Sequence, residues 1–423
     1  MITNKSTFLN NYLNQSSLNE DLYPIVKSIC DNVKQQGDEA LKHYNQQLDH
    51  VDTPQLEIPK DNLKIAYNRI DASLREALEH SHARIKAYQT SIKYDHQQTS
   101  SECYELYHPL ERVGVYVPGG KASYPSTVLM TVTLAKVAGV SNIVVVTPPQ
   151  PEGLPDVVLA SCYIAGVDQV YQVGGAQSIA ALAYGTETIP KVDKIVGPGN
   201  QYVAYAKKYL FGQVGIDQIA GPSEIALIID HTADLDAITY DVFAQAEHDE
   251  LARTFVISED EVLLHQLEDK IQQALSQIER QPIVAASLAH NHFLIAVDDF
   301  AEACDLMNQI APEHASIQTK QPYNYLNHVK YVGALFLGHY SPEVIGDYVA
   351  GPSHVLPTNQ TARFTNGLSV NDFLTRHSVI DLSQQTFNDI EQSARRLANV
   401  EHLYNHEQSI ETRTAKETHN DQN

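Results

Sequence analysis

Cysteine is scarce in this chain of 423 residues, which contains only Cys30, Cys103, Cys162 and Cys304. No two of them form a C-x-x-C pair, so the sequence excludes a cysteine-rich zinc site and is typical of a reducing compartment. Cys103 or Cys162 is a candidate nucleophile of the kind that attacks aldehydes, but a free cysteine is usually a small core residue. We keep both interpretations open.

Basic residues are also few. Lys and Arg together number 29 against 52 Asp and Glu, which gives a formal net charge of −23. So acidic a surface argues against DNA, RNA or an anionic membrane as a partner. The sequence lacks an apolar run of membrane-spanning length, and its first residues, MITNKSTFLN, are too polar for a signal peptide. We therefore expect a cytoplasmic protein.

From Arg112 onward the chain alternates predicted strands with predicted helices, whereas residues 1–100 are predicted to be helical. Short glycine-rich connections between these elements predict mostly parallel sheets covered by helices on both faces. The alternation occurs in two successive series, which predicts two α/β lobes. The predicted strands are 113–117, 142–147, 169–173, 194–196, 225–229, 254–257, 293–297 and 332–337.

A final amphipathic helix is predicted near the C-terminus. Its apolar residues recur at helical spacing and are expected to face inward. They are Phe387, Ile390, Ala394, Leu397 and Val400. Glu401 and His406 follow this helix, and they belong either to a functional site or to a solvated tail.

Three glycine-rich turns follow predicted strands, at 119–120, 174–175 and 197–199. Free backbone N–H groups at strand-to-helix turns favour phosphate groups. The nearest match to the dinucleotide motif G-x-G-x-x-G, at 197–202, lacks the third glycine. Each turn alone is common in α/β proteins, but the three together predict a crevice for an extended ligand that carries phosphate.

Gln245 and His248 frame the stretch Q-A-E-H, which is a candidate metal site. We predict a helix over Ala233–Glu250, capped by Asp234, and the spacing of three places Gln245 and His248 on one helical face. An amide oxygen and an imidazole nitrogen presented in this way can share a divalent metal ion. The plainer interpretation is that His248 is an ordinary, partly buried histidine.

Two further segments carry titratable side chains in special backbone settings. Glu313 and His314 follow a proline, and a carboxylate beside an imidazole can act as general base and proton relay near neutral pH. Neighbours along a chain need not point together, so a structural role is the alternative. Asp347 and His354 lie in a loop rich in glycine and proline, which suits a placed ligand.

These motifs together resemble the histidinol dehydrogenase family, and the resemblance runs from Val113 to about Arg413. Any one motif is weak, whereas eight in this order are highly specific. They are VYVPGG at 115–120, GGAQSIAAL at 174–182, VGPGN at 196–200, GPSE at 221–224, QAEH at 245–248, PEH at 312–314, GDY at 346–348 through HVLPT at 354–358, and Glu401 with His406.

The resemblance implies a zinc-dependent, NAD-linked enzyme of histidine biosynthesis. It would oxidise L-histidinol through L-histidinaldehyde to L-histidine with two NAD in succession. The implied ligands of one Zn²⁺ per subunit are Gln245, His248, Asp347 and His406. The implied acid–base pair is Glu313 and His314, and the implied NAD contacts are Tyr116, Gln177 and Asn200. The implied substrate contacts are Ser223, Gln245, His248, His314, Asp347, His354, Glu401 and His406.

The same resemblance implies a fold of two Rossmann-like α/β lobes with mostly parallel sheets. The lobe for metal and substrate would comprise 12–112 with 226–366, and the NAD lobe would comprise 113–225. Small N-terminal (1–11) and C-terminal (367–423) helical segments would exchange in a homodimer, so that Glu401 and His406 serve the site of the partner subunit.

Three alternatives stay open from the residues themselves. A zinc hydrolase would share the metal but would not bind NAD. A thiol-dependent aldehyde dehydrogenase would use Cys103 or Cys162 and no metal. A non-catalytic ligand-binding protein would explain the glycine-rich crevice but would leave the His, Asp and Gln residues without a purpose.

Overall fold

The computed structural model describes residues 2–11, 21–95, 102–119 and 123–414. The strands are β1 Ile2–Asn4, β2 Glu57–Ile58, β3 Cys103–Pro109, β4 Arg112–Tyr116, β5 Asn142–Thr147, β6 Gln169–Gln172, β7 Lys194–Val196, β8 Gly215–Ile216, β9 Glu224–Ile229, β10 Arg253–Ser258, β11 His292–Ala296, β12 His314–Gln318, β13 Ala334–Leu337 and β14 Leu374–Ile380.

The α-helices of the described residues separate these strands. They are α1 Lys5–Asn11, α2 Leu22–Gln36, α3 Asp38–Tyr44, α4 Lys60–Arg69, α5 Ala72–Ile92, α6 Pro125–Ala138, α7 Asp156–Ala165, α8 Gly175–Tyr184, α9 Gln201–Leu210, α10 Leu235–Ala246, α11 Glu261–Leu275, α12 Gln281–Asn291, α13 Phe300–Ile310, α14 Glu343–Tyr348, α15 Gln384–Val400 and α16 Tyr404–Thr414. None of the helices so described is long and apolar enough to cross a membrane.

The chain folds into two compact units. The larger unit comprises the chain up to Lys93 together with Pro109–Phe373, and it contains both large sheets. The smaller unit comprises Tyr94–His108 and the chain from Leu374 onward.

Both large sheets have six strands and are mostly parallel. Sheet A has the order β1-β11-β10-β9-β12-β13, and its neighbouring strands all pair in parallel. Sheet B has the order β2-β6-β5-β4-β7-β8 and is parallel apart from the short edge strand β2. Parallel neighbours need crossover connections, which the helices provide. The predicted α/β fold with mostly parallel sheets is therefore confirmed.

Strand order reverses direction once in each sheet. In sheet B the chain runs from β4 outward to β5 and β6, and then returns to place β7 on the other side of β4. In sheet A it runs from β9 to β10 and β11, and then returns to place β12 beside β9. Ligands of doubly wound sheets bind outside the carboxyl ends of strands at such reversals. The carboxyl ends of β4 and β7 are thus the expected ligand crevice of sheet B.

The central strands are apolar on both faces because helices cover both faces. All six residues of β9 are buried. Ile225, Leu227 and Ile229 belong to one core, whereas Ala226 and Ile228 belong to the core on the other face. Side chains alternate between the faces of a strand, so a strand of this composition is held from both sides. It forms a rigid base for the residues at its ends.

Helix α2 packs on sheet B, whereas the predicted grouping placed residues 12–112 with 226–366. Val26, Ile29 and Val33 of α2 share a core with the residues of sheet B and its helices, and α2 contacts α8 and α9. Strand β2 also joins sheet B by pairing with β6. The apolar face of a helix fits either sheet, so the sequence alone does not distinguish the two groupings.

The N-terminal segment contains a strand as well as the predicted helix. Strand β1 pairs in parallel with β11 at the edge of sheet A. Phe8 of α1 is fully buried and lies edge-on against Phe255 and Phe293. Residues 2–11 therefore complete sheet A and its core.

The smaller unit combines a two-stranded sheet of β3 and β14 with the helices α15 and α16. The expectation that the apolar residues of α15 face inward is wrong for this structure, because Leu397 is 65% exposed and Val400 is 61% exposed. Helix α16 packs against α15, but the one buried residue of α15 is the small Ala398. Helix α15 therefore presents an apolar surface to solvent.

Candidate active site

Titratable side chains meet at the amino edge of sheet A. Strand β9 begins at Glu224 and its neighbour β12 begins at His314. Helix α14 contributes Glu343 and Asp347, which are four residues apart and therefore share one helical face. Two strands and a helix thus bring together four residues from three separate segments of the sequence.

The imidazole of His314 is buried and held in one orientation. Its Nδ1 atom lies 3.1 Å from the backbone carbonyl oxygen of Glu224. A carbonyl can only accept, so Nδ1 carries the hydrogen and Nε2 is left with a lone pair. Nε2 is buried without a hydrogen-bond partner among the described residues, and it is 3.9 Å from Oδ1 of Asp347. Burial lowers the pKa of His314, which favours the neutral ring that a general base requires.

Glu313 precedes His314 and is also buried. Its Oε2 atom accepts a hydrogen bond from the Glu224 backbone N–H at 3.0 Å and lies 3.8 Å from Nδ1 of His314. Burial raises the pKa of Glu313 well above its ordinary value, and the carboxylates of Asp347, Glu224 and Glu343 raise it further. The adjacent pair therefore does point into one site, and both members can exchange protons there.

Glu343 and Asp347 extend this group into one that can hold a metal ion. Single ligand atoms of His314, Glu343 and Asp347 all lie within 4.8 Å of one another. Burial raises the pKa of Glu343 to about 8 and that of Asp347 to about 7. Carboxyl groups buried this close together are costly to ionise unless a cation compensates them. The geometry therefore favours a cation beside Asp347.

Gln245 and His248 lie next to each other, although not on one helix as predicted. Helix α10 ends at Ala246, so His248 lies in the turn that follows, where its N–H donates to the Gln245 carbonyl oxygen at 3.3 Å. The side-chain atoms Gln245 Nε2 and His248 Nδ1 are 3.5 Å apart. Gln245 Oε1 is buried and has no hydrogen-bond partner in the described part of the chain. The predicted cap is confirmed, since Asp234 accepts from two N–H groups of the first turn.

Three imidazoles influence one another in this region. Burial, with nearby positive charge on His314 and His248, lowers the pKa of His354 to about 4. The ring of His248 reaches solvent, but the protein around it, with positive charge on His314, still lowers its pKa. Such mutual effects require that the rings lie near one another. All three pKa values favour the neutral imidazole, which is the form that binds metals and accepts protons.

Ser223 and Glu224 are fixed by Arg253 at the start of β10. The Ser223 carbonyl accepts from the Arg253 N–H at 2.9 Å, and Nη1 of Arg253 is 3.2 Å from Oε1 of Glu224. The other carboxylate oxygen of Glu224 accepts from the backbone N–H of Asn359 at 3.1 Å. Ser223 therefore lies at the same amino edge of sheet A as His314.

The three residues predicted to contact NAD lie at the carboxyl edge of sheet B. Tyr116 ends β4, Gln177 lies in the first turn of α8, and Asn200 caps α9. Burial raises the pKa of Tyr116 to about 12, so its hydroxyl stays protonated. Gln177 Oε1 is buried and unpartnered among the described residues, whereas Asn200 Oδ1 accepts from the Val203 N–H at 3.2 Å. Gly120 of the first glycine-rich turn lies outside the described residues.

Glu401 and His406 lie in the smaller unit. Glu401 ends α15, and His406 lies in the first turn of α16. Both side chains are exposed. Their contribution to a site formed with residues of the larger unit stays a prediction.

The two candidate thiols differ in their surroundings. Cys162 is buried within α7, and burial raises the pKa of its thiol to about 12. A thiol with so high a pKa is inert near neutral pH because the thiolate is the nucleophile. Cys103 lies on β3 in the smaller unit and is exposed. Cys162 does not belong to the group around His314 at the amino edge of sheet A.

Sequence reasoning missed Glu343 and the role of Glu224. The signal for Glu343 was its spacing of four from Asp347 on a helix, which places both carboxyl groups on one face. Glu224 lies within the quoted GPSE motif, but its main-chain contacts with Glu313 and His314 depend on the pairing of β9 with β12. That pairing joins positions about ninety residues apart.

Known proteins resemble this chain over nearly its whole length. A family model described as histidinol dehydrogenase matches residues 13–414. The histidinol dehydrogenase of Staphylococcus saprophyticus subsp. saprophyticus is 79% identical over 423 residues, which are 100% of both chains. That of Staphylococcus aureus (strain COL) is 68% identical over 96% of this chain and 98% of its own. The crystal structure of histidinol dehydrogenase from Elizabethkingia anophelis superposes with a TM-score of 0.94 at 31% identity, covering 99% of this chain and 98% of that one.

Proposed function

The chain belongs to the histidinol dehydrogenase family of oxidoreductases, and from this premise we propose that it oxidises L-histidinol through L-histidinaldehyde to L-histidine, with zinc and two NAD in succession. The observation that carries the proposal is the orientation of His314. Its Nδ1 is occupied by the Glu224 carbonyl, and its Nε2 is buried with no partner in the described residues. A neutral imidazole with one free lone pair is the base that alcohol oxidation needs.

In the first half of the reaction His314 removes the hydroxyl proton of histidinol while the hydride of the same carbon passes to NAD. The products are the aldehyde, NADH and a protonated His314, which then loses its proton to solvent. The carboxylate of Asp347, 3.9 Å from Nε2, stabilises the imidazolium that forms.

In the second half Glu313 takes a proton from water as the hydroxyl adds to the aldehyde carbon, and it returns this proton to the former aldehyde oxygen, which gives a gem-diol. Burial raises the pKa of the Glu313 carboxyl, which makes its carboxylate a stronger base for this step. The resulting gem-diol loses a proton to His314 and a hydride to a second NAD, which gives the carboxylic acid. No step requires a cysteine nucleophile.

We assign the zinc site to Gln245, His248 and Asp347, with His406 of a second copy of the chain as a further ligand. The donors fit the ion, since they are a buried amide oxygen without a partner, a neutral imidazole and a carboxylate beside other carboxyls. His314 also lies close to Asp347, but we assign its one free nitrogen to proton transfer. Bound zinc would hold the imidazole and amine of histidinol and orient its carbinol.

NAD is assigned to the carboxyl edge of sheet B, with contacts from Tyr116, Gln177 and Asn200. The reversal of strand order between β4 and β7 favours a ligand there. The buried, unpartnered Oε1 of Gln177, again counting only described residues, offers an acceptor to such a ligand.

We propose a homodimer, and the exposed surface of α15 supports it. Ile390, Leu397 and Val400 are 45%, 65% and 61% exposed, and an apolar helix face of this kind is stabilised by docking on another body. A two-fold dimer would cover it and would let Glu401 and His406 complete the site of the partner subunit.

One assay tests the proposal. Purified protein with L-histidinol and NAD should produce NADH absorbance, a chelator should abolish it, and zinc should restore it. The His248→Ala variant should lose most of its bound metal, which elemental analysis measures without reference to activity. NADH production by fully metal-free protein would remove zinc from the account, and no NADH under any condition would remove the proposed reaction.

A further inference from the structure

Lys207 of α9 and Asp217, just after β8, form a buried ion pair. The Nζ and Oδ1 atoms are 2.7 Å apart, and the two side chains are only 4% and 3% exposed. An ion pair this deeply buried rarely stabilises a fold more than apolar residues of similar size would, because both charges lose their hydration. The stability of the lobe therefore does not explain the pair.

Both partners of this ion pair hold the same backbone residue, Gly197. Nζ of Lys207 donates to the Gly197 carbonyl oxygen at 2.6 Å. The Gly197 N–H donates to Oδ2 of Asp217 at 2.7 Å. Gly197 has a φ of +110°, and a Cβ there would lie 2.2 Å from the Tyr116 carbonyl oxygen. The glycine-rich turn after β7 is thus fixed against the end of β4.

The segment after Asp217 extends this arrangement to the catalytic side of the same unit. The Gln218 side chain donates to the carbonyl oxygen of Leu356, and the Gly221 N–H donates to Oγ1 of Thr358 at 2.6 Å. Leu356 and Thr358 belong to the loop that carries His354. The chain from Asp217 to Glu224 therefore connects the turn at sheet B with the candidate catalytic site at sheet A.

We propose that Lys207 and Asp217 are positioning residues for the cofactor. They hold the turn Gly197–Asn200 in the conformation that receives NAD and set its position relative to the catalytic loop. This inference rests on the proposed NAD-dependent function. When the N–H and the carbonyl of a turn residue are already fixed, the turn loses less conformational freedom on binding its ligand. Such preorganisation raises the affinity for the ligand.

The same sheet contains a control of similar chemistry, whose two side chains are 31% and 30% exposed. Lys136 of α6 and Asp168 form an ion pair at 2.8 Å, and Oδ2 of Asp168 accepts the backbone N–H of Ile143 at 2.9 Å. The chemistry is the same, a lysine paired with an aspartate that holds a main-chain N–H. This pair, however, lies near the start of β5, at the amino edge of sheet B and away from the crevice.

The test compares two neutralised pairs, Lys207→Met with Asp217→Asn and Lys136→Met with Asp168→Asn. The first should raise KM for NAD and the Kd for NADH, read from nucleotide fluorescence, by about tenfold, and should change kcat less than about threefold. The control pair should leave all three values within about twofold of the parent. Unfolding midpoints of both variants show whether the fold is intact.

The possible outcomes distinguish failure of the proposed function from failure of the proposed positioning role. A parent protein that reduces no NAD with histidinol refutes the proposed function itself. A parent that does reduce NAD, with unchanged NAD affinity in the folded Lys207/Asp217 variant, refutes the positioning role alone. If that variant fails to fold, the more conservative neutral pair Lys207→Gln with Asp217→Asn takes its place, and hydrogen exchange of the parent adds a second measurement. NADH should slow exchange at 197–202, and unchanged exchange there contradicts the inference.

Discussion

Nδ1 of His314 lies 3.1 Å from the backbone carbonyl oxygen of Glu224, and this contact decides which ring nitrogen can do chemistry. The contact joins the first residues of two adjacent parallel strands, β9 and β12. It leaves Nε2 as the lone-pair nitrogen, directed towards Asp347 at 3.9 Å. The strand pairing that builds sheet A therefore also sets the tautomer of the proposed base.

Replacing His314 with asparagine should remove the base and keep a side chain that donates to the Glu224 carbonyl. We expect kcat with histidinol to fall by roughly 10²–10⁴ while bound metal and the unfolding midpoint stay near parent values. Steady-state kinetics, elemental analysis and thermal unfolding measure the three quantities. A kcat close to that of the parent would show that His314 has a structural role. A loss of bound metal together with the loss of activity would show that His314 is a metal ligand.

Glu313→Gln should separate the two halves of the reaction. The amide oxygen of glutamine can still accept the hydrogen bond from the Glu224 N–H, which lies 3.0 Å from Oε2 of Glu313 in the parent. The amide cannot, however, take a proton from water. We expect turnover of histidinaldehyde to fall roughly 10²-fold or more. Single-turnover oxidation of histidinol to the aldehyde should fall by less. Equal losses in both halves would contradict a role limited to the water-activating step.

Glu343 should make the metal-free protein less stable as the pH rises. Burial raises the pKa of the folded-state carboxyl from an ordinary 4.5 to about 8. The folded state therefore holds this proton longer than the unfolded chain does. Its contribution to the free energy of unfolding is complete below pH 4.5 and is lost as the pH rises to about 8.

The neutral variant Glu343→Gln should lack this dependence. Denaturant unfolding in chelator at about pH 5 and about pH 9 gives the free energy of unfolding for both proteins. The free energy of unfolding of the variant, relative to that of the parent, should increase from the lower pH to the higher pH. The difference between the two proteins cancels the titration of the other carboxyls to first order. If the difference in free energy of unfolding between variant and parent is the same at both pH values, then ionising Glu343 does not destabilise the folded state.

Sharing of sites between subunits is tested by mixing His248→Ala with His406→Ala, each nearly inactive alone. If His406 serves the partner subunit, a heterodimer has one site with both lesions and one with neither. Random reassortment after unfolding and refolding should then restore about a quarter of the parent's sites. If His406 completes the site of its own chain, every site keeps one lesion and mixing recovers no activity. Refolded parent protein provides the reference value.

The sequence was most informative where chemistry and local structure coincide. Asp234 predicted the start of α10, and the alternation of apolar strands with glycine turns predicted both parallel sheets. The predicted end of α10 at Glu250 lies beyond the observed end at Ala246, because Glu247 and the following residues extend the polar pattern without a glycine or proline to stop it. His248 nevertheless meets Gln245, since a turn keeps residues three apart close together.

Long-range packing was the part that the sequence could not supply. The contacts of Glu224 with Glu313 and His314 depend on which strands become neighbours. Helix α2 has an apolar face that would fit either lobe, and it packs on sheet B. The apolar residues of α15 were expected inside, but amphipathicity alone does not tell a core face from a surface that docks on another chain.

The stoichiometry of NADH production tests the central claim most directly. Zinc-loaded protein is incubated with excess NAD and a limiting, known amount of L-histidinol until absorbance stops rising, and the product is identified by chromatography. The account predicts two NADH for each histidinol and L-histidine as the product. One NADH with histidinaldehyde as the final product, or no NADH at all, would contradict it.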